Sequence, residues 1–207
     1  MWQTTCTVVH SGDETFLIDS PVLPEELEAL PSVLEQASWE LTGLLATHGD
    51  WDHVLARLTW PDAPLGVAES TLERMRAEPG EAQRKLRAWD SEHHVVRPRP
   101  LALGHLQGLP VPGRLDVGES ELELHPADGH TADGMAIVVP WAGVLVCGDY
   151  LSPVEAPMIG GDADAYRATL ERLRPLVQAA EWVVPGHGAP MKPAQALAVL
   201  DDHLGKL

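Results

Sequence analysis

The stretch that decides the fold is LTGLLATHGDWDH, residues 41–53, in which an apolar run ends in a group of polar side chains. The first seven of these residues, 41–47, have the length and composition of a buried β-strand. Four possible metal ligands lie within the next six positions, namely His48, Asp50, Asp52 and His53. A loop that leaves a buried strand can turn such side chains inwards, where the scaffold holds them rigidly. This motif therefore predicts a metal site at the end of a strand.

Three later segments each offer one more ligand at the end of a predicted strand. They are Gly129-His130-Thr131, Gly148-Asp149-Tyr150 and Pro185-Gly186-His187-Gly188. Imidazole and carboxylate groups suit zinc, iron or manganese, and the first motif contains no cysteine, which argues against a closed structural zinc site. The predicted metal ligands are therefore His48, Asp50, Asp52, His53, His130, Asp149 and His187.

Short apolar strands and amphipathic helices alternate through the rest of the chain. Strands are predicted at residues 4–9, 15–19, 65–68, 121–125, 135–139, 144–147 and 182–184, and helices at 24–36, 70–90, 163–180 and 193–204. Pro31 is expected to kink or split the first helix, and Pro79-Gly80 to break the second. Two β-rich halves flanked by helices predict helices that cover two packed sheets, in a single domain over residues 1–207.

The helical stretch at residues 70–90 shows no motif that indicates chemistry. It opens the segment 70–109, which we expect to shape the substrate pocket.

Composition narrows the partners that the chain can have. With 14 Lys and Arg against 31 Asp and Glu, the formal charge is -17, which repels nucleic acids and anionic membranes and leaves a small molecule as the expected substrate. The two cysteines, Cys6 and Cys147, form no CxxC pair, which fits a reducing compartment. Residues 1–19 show no signal-peptide pattern, and no apolar run approaches the roughly 18 residues of a membrane span, so we predict a cytoplasmic protein.

Together, the motifs resemble those of the metallo-β-lactamase superfamily, namely HxHxDH, a His in GHT, an Asp in GD and a late His in PGHG. The resemblance covers nearly the whole chain and implies an α+β fold, the four-layer αββα sandwich. It implies one metal on His48, Asp50 and His130, a second on Asp52, His53 and His187, and Asp149 as a bridge between them. Asp19, after the second predicted strand, resembles the structural Asp that supports the first motif.

One position departs from the family pattern, because Asp50 stands where the family has the second His of HxHxDH. A carboxylate in place of a neutral imidazole lowers the net charge of the site by one. The resemblance implies two divalent metal ions, for which zinc is the first expectation. Asp50 makes iron or manganese more competitive, since both favour oxygen ligands.

In function, the chain is most similar to the glyoxalase-II-like branch of the superfamily. The resemblance implies a binuclear hydrolase that attacks an ester, thioester or lactone of a small molecule through a metal-bridging hydroxide. Asp52 is the candidate catalytic residue, as the acceptor of the proton of that water. Tyr150 and Trp51, each beside a ligand, are candidate substrate-binding residues, and Tyr150 could donate to an oxyanion.

Two other functions stay open at this point. Persulfide dioxygenases of the same superfamily use one iron on two histidines and one carboxylate, which His48, His130 and Asp149 match. A non-catalytic metal-binding relative is the other alternative. A nuclease of the superfamily is disfavoured by the strong acidity of the chain.

Overall fold

The computed structural model describes residues 3–160 and 162–207. The first half consists of β1 (Thr7–Ser11), β2 (Glu14–Ile18), α1 (Pro24–Ala37), β3 (Gly43–Leu45), β4 (Leu65–Ala68), α2 (Glu69–Ala77), α3 (Glu81–His93) and β5 (Leu106–Leu109). Its strands form one sheet in the order β1-β2-β3-β4-β5, antiparallel between β1 and β2 and parallel from β2 onwards. Two short 3₁₀ turns, Trp51–His53 and Leu55–Leu58, follow β3.

The second half builds a second sheet. It consists of β6 (Gly113–Val117), β7 (Ser120–Pro126), β8 (Met135–Val139), β9 (Val144–Val146), α4 (Ala163–Ala179), β10 (Trp182–Val184) and α5 (Pro193–Gly205), with a 3₁₀ turn at Pro140–Ala142. The strand order is β10-β9-β8-β7-β6, parallel only between β9 and β10.

The alternation of side chains along the strands produces four layers. Leu17 and Leu44 belong to the core beneath α1, α2 and α3, whereas their neighbours Ile18 and Leu45 pack between the two sheets. The outer face of the second sheet packs against α4 and α5, for example through Leu145. Each buried Leu or Ile contributes about 1.5–3 kcal/mol, so both faces of each sheet stabilise the sandwich. This arrangement confirms the predicted αββα fold.

Pro31 lies inside α1, which continues through it instead of splitting. Because proline has no N–H, the carbonyl of Leu27 loses its helical donor. The hydroxyl of Thr59 donates to that carbonyl at 3.3 Å and so replaces the missing hydrogen bond. Of the two alternatives expected at Pro31, a kink or a split, the split was therefore wrong, while Pro79 and Gly80 do separate α2 from α3.

Two strands, β5 and β6, were not predicted as strands. Each is the last strand of its sheet, where one edge of the backbone has no neighbouring strand and the sequence is only partly apolar. Among the described residues, no helix has the length and hydropathy that a membrane crossing needs.

Candidate metal centre

The predicted ligands come together where several strands end. His48 follows β3, His130 lies in the loop between β7 and β8, Asp149 follows β9 and His187 follows β10. Backbone hydrogen bonds join these loops, since Met135 N donates to the Thr47 carbonyl at 2.7 Å and Gly186 N to the Gly148 carbonyl at 2.7 Å. The two sheets therefore position the site jointly.

His48, His53 and Asp149 have ligand atoms within 4.8 Å of one another, and so do the members of two further sets of predicted ligands. We call these two further sets the first ligand group (His48, Asp50 and His130) and the second ligand group (Asp52, His53 and His187). These are the sets that the motif resemblance implied. The structure brings the residues together, and the binding of ions by them stays a prediction.

Asp149 lies between the two groups. Its Oδ2 is 3.2 Å from His130 Nε2 and 3.9 Å from His48 Nε2. Its Oδ1 is 3.0 Å from His53 Nε2 and 3.3 Å from His187 Nε2. One oxygen therefore faces each group, which is the arrangement that a bridging carboxylate requires.

Gly186 makes room for this carboxylate. A Cβ at this position would lie 2.6 Å from Asp149 Oδ1 and 2.9 Å from His53 Cε1. Only glycine allows the backbone to come so close, so the PGHG motif has a steric reason in this chain.

The second ligand group is held by side chains at the end of β2. Asp19 Oδ1 accepts a hydrogen bond from Thr47 N at 2.8 Å, and Asp19 Oδ2 lies 3.2 Å from His53 Nδ1. Ser20 Oγ donates to the carbonyl of Asp52 at 2.9 Å. Asp19 thus supports the first motif, in agreement with the resemblance. A carboxylate on one ring nitrogen orients the other nitrogen toward a metal.

His130 of the first group is held mainly by backbone contacts. Its Nδ1 lies 2.9 Å from the carbonyl of Met158, which leaves Nε2 facing Asp149. Its backbone N–H donates to the hydroxyl of Tyr150 at 2.9 Å, and this hydroxyl donates to the carbonyl of Asp128 at 2.6 Å. Tyr150 therefore fixes the loop that carries His130.

The candidate substrate-binding residues Tyr150 and Trp51 lie in the interior. Tyr150 is 2% exposed, stacks on Tyr166 with ring centroids 4.8 Å apart, and has its pKa raised by burial. Trp51 is 7% exposed and packs against Trp89 with centroids 5.3 Å apart. Both side chains are buried, and direct contact of either one with a substrate stays a prediction.

Charge is distributed unevenly over the site. Burial, together with the neighbouring His53, lowers the pKa of His48 to about 4. Burial would lower the pKa of His187 too, but its contacts with Asp149 and Asp52 raise this pKa to about 10. Burial opposes the charge of Asp149, yet the adjacent rings of His53 and His187 hold its pKa well below the usual value. The carboxylates of Asp149 and Asp52 therefore favour a positive charge on His187 of the second ligand group, whereas His48 of the first group has a lowered pKa.

The donor atoms fit divalent cations. Four buried donor atoms make no hydrogen bond of good geometry within the part of the chain that the structure describes, although His53 Nε2 and Asp149 Oδ1 are only 3.0 Å apart. They are the Nε2 atoms of His48, His53 and His130 and the Oδ1 atom of Asp149. Leaving such atoms unpaired costs about 1–3 kcal/mol each. A cation that accepts these lone pairs removes the cost, so the residues present suit a metal.

Two charged residues beside the first ligand group were not predicted. Arg74 of α2 donates to Asp50 Oδ1 at 3.1 Å and lies 2.6 Å from Asp133 Oδ1. Asp133 comes three residues after His130, so its place in the second motif was a signal for it. Arg74 had no such signal, because it lies in a charged helix far from every motif.

A four-layer αββα sandwich with clustered His and Asp ligands at its strand ends defines a class of metal-binding proteins. A sequence model of the metallo-β-lactamase superfamily matches residues 1–187, and the chain belongs to this superfamily.

Solved structures agree with this assignment at the level of the fold. TTHA1623, in a di-iron-bound form, has a TM-score of 0.70 and 23% identity, with 96% of this chain and 94% of that chain covered. The superfamily protein ST1585 from Sulfolobus tokodaii has a TM-score of 0.70 and 20% identity, covering 98% and 79%. The DIM-1 metallo-β-lactamase, exposed to ceftazidime, has a TM-score of 0.68 and 20% identity, covering 99% and 86%.

Proposed function

We propose that this protein is a binuclear metal-dependent hydrolase acting on an ester, thioester or lactone of a small molecule. The observation that carries the proposal is Asp149, whose two oxygens face the two ligand groups at 3.0–3.9 Å. Membership of the metallo-β-lactamase superfamily supports metal-dependent hydrolysis. The di-iron-bound form of the structural relative TTHA1623 supports a site for two ions in this fold.

Each ligand group has a part in the proposed reaction. When bound, two divalent ions, zinc by first expectation, supply Lewis acidity and a water of lowered pKa. Asp52 would serve as the proton acceptor at its carboxylate, which is buried and has Oδ2 3.4 Å from His187 Nε2. Asp19 and the Met158 carbonyl keep the rings of His53 and His130 in orientation. Asp50, as an oxygen ligand, keeps iron and manganese in competition with zinc.

The remaining expectations are part of the same proposal. The formal charge of -17 repels polyanions, which favours a small-molecule substrate over nucleic acid or a membrane surface. Both Cys6 and Cys147 are free thiols, which favours a reducing, cytoplasmic location. The whole chain of 207 residues is taken to act as one domain.

A persulfide dioxygenase is the second candidate. The set that it needs is present, because Asp149 Oδ2 lies 3.2 Å from His130 Nε2 and 3.9 Å from His48 Nε2. The same reaction leaves the second ligand group without a function. The hydrolase is preferred because it uses both groups.

Elemental analysis of protein purified without added metal tests the proposal. We expect about two ions per chain, with a sharp fall in His48→Ala and Asp50→Ala and no change in His125→Ala. His125 is the matched control, since it lies on β7 and faces Glu123 at 3.6 Å. Esters, thioesters and lactones are then screened as substrates.

Two results would contradict the hydrolase. About one iron per chain, lost in His48→Ala but kept in Asp50→Ala, with oxygen uptake, points to the dioxygenase. Protein that binds no ion even when zinc, iron or manganese is supplied rules out both enzymes.

A further inference from the structure

We infer that Arg74 is a positioning residue for Asp50, which it holds by one carboxylate oxygen so that the other serves the first ligand group. This rests on the proposed function, because it concerns a ligand of the proposed site. It also explains how this chain uses a carboxylate where the family has an imidazole.

The contacts of Arg74 are directional. Its NH2 group donates to Asp50 Oδ1 at 3.1 Å, while its Nε lies 2.6 Å from Asp133 Oδ1. Its NH1 group lies 3.7 Å from Glu81 Oε2, but Glu81 has a closer cation in Lys85 at 2.9 Å. The guanidinium is therefore spread between Asp50 and Asp133, as a planar fork with several N–H groups allows.

Asp133 anchors this guanidinium. Its side chain is 2% exposed, and within the described residues neither of its oxygens makes a hydrogen bond of good geometry to another group. A buried carboxylate without a cation is strongly unfavourable, so the attraction of Asp133 keeps the guanidinium of Arg74 in this position. Because Asp133 lies in the loop of His130, Arg74 of α2 links the first motif to the second.

Gly49 allows α2 to approach so closely. A Cβ at this position would lie 3.0 Å from Met75 Cγ and 3.1 Å from Arg74 NH2. The backbone of the first motif and the helix that carries Arg74 are thus in direct contact. Arg74 needs no movement of α2 to reach Asp50.

The consequence concerns both geometry and charge. A carboxylate that is free to rotate can bind an ion through one oxygen, through both or not at all, whereas an imidazole ligand offers one nitrogen. With Oδ1 engaged by Arg74, Asp50 presents a single oxygen. The guanidinium also offsets part of the negative charge that replacing the family's neutral imidazole with Asp50 adds to the site.

The test is a double-substitution cycle read out by Zn²⁺ affinity, measured by competition with a chromophoric chelator. The competition should resolve two classes of bound Zn²⁺ with different affinities. The class that disappears in Asp50→Ala is assigned to the first ligand group. Arg74→Gln should weaken that class by about 10–100-fold and leave the other class unchanged. In an Asp50→His background, the same substitution should change the affinity by less than about twofold, because Arg74 then contacts no carboxylate of the first ligand group.

Two further variants keep the test decisive. Arg76→Gln is the matched control, because Arg76 is an exposed residue of the same helix. If Arg74→Gln does not fold, Arg74→Met combined with Asp133→Asn removes the buried charge as well and should show the same dependence on residue 50.

Three results would contradict the inference. If Arg74→Gln lowers the Zn²⁺ affinity equally with Asp50 and with Asp50→His, Arg74 only stabilises the fold. Unchanged or tighter binding with Asp50 in place also overturns the inference. If the unmodified protein binds no Zn²⁺, the proposed site itself fails.

Discussion

The two ligand groups differ in what holds them. In the second group all three side chains are buried, and from the end of β2 Asp19 contacts the ring of His53 while Ser20 donates to the carbonyl of Asp52. In the first group Asp50 is 24% exposed at its side chain and is held by Arg74, a long side chain from α2. A carboxylate at a strand end is a rigid support, while an arginine on a helix depends on the packing of that helix. The first group is therefore the adaptable part of the site.

The largest expected effect comes from Asp149, because it is the residue that faces both groups. Asp149→Asn removes the negative charge between them, so we expect ions to be lost from both groups and hydrolysis to fall about 10³-fold, since a metal contributes several kcal/mol. Elemental analysis and turnover of the best substrate measure the two effects. Asp116→Asn, at an exposed residue of β6, serves as control. Loss of ions from one group alone would show that Asp149 does not bridge.

A smaller effect is expected at Asp19, which contacts His53 of the second group directly and reaches His48 of the first group through Thr47, whose hydroxyl lies 3.3 Å from His48 Nδ1. Asp19 has a φ of 59°, a left-handed conformation that Asn tolerates, so Asp19→Asn should keep the backbone intact. It removes the charge that faces His53 Nδ1, and we expect the ion of the second group to bind about 10–100-fold more weakly. Zn²⁺ competition resolves the two classes. Equal weakening of both would mean that the two groups share one support.

Much of this contrast could be read from the sequence, and one part could not. The ligands are short motifs at strand ends, where the end of a buried strand fixes the direction in which the chain leaves the sheet. The support from Arg74 depends on how α2 packs against Gly49, which is a tertiary contact. The sequence of α2 by itself indicates only a charged amphipathic helix. Local pattern therefore predicted residues that the structure brings together, and it missed the contact between Arg74 and Asp50.

The residues next to a ligand in sequence pack their side chains against helices. Tyr150 follows Asp149, yet its side chain turns toward α4 and stacks on Tyr166. Trp51 lies between Asp50 and Asp52, and it packs on Trp89 of α3. Successive residues in a turn point in different directions, so one can face the site while the next fills the core. The secondary structure had a similar limit at Pro31, where a distant hydroxyl replaces the lost hydrogen bond.

The smallest effect on the ions is expected at Tyr150, which supports the first group only through the backbone of His130. Tyr150→Phe leaves the His130 N–H without the hydroxyl that accepts from it, while the Asp128 carbonyl keeps Thr169 Oγ1 as a donor at 2.7 Å, so the free energy of unfolding should fall by about 1–3 kcal/mol. Zn²⁺ affinity of the first group should change only a few-fold, because Met158 still holds the ring of His130. Urea denaturation and Zn²⁺ competition measure these quantities.

Tyr166→Phe is the matched control for this prediction, since Tyr166 is the other ring of the stacked pair and its hydroxyl faces His203 Nδ1 at 3.4 Å. Its substitution should lower stability without changing either class of bound ion. The opposite pattern is informative as well. If Tyr150→Phe keeps stability and ion affinity but reduces turnover strongly, the hydroxyl contacts the substrate during the reaction. Tyr150 would then leave its partners at His130 and Asp128, and the first ligand group would be the mobile half of the site.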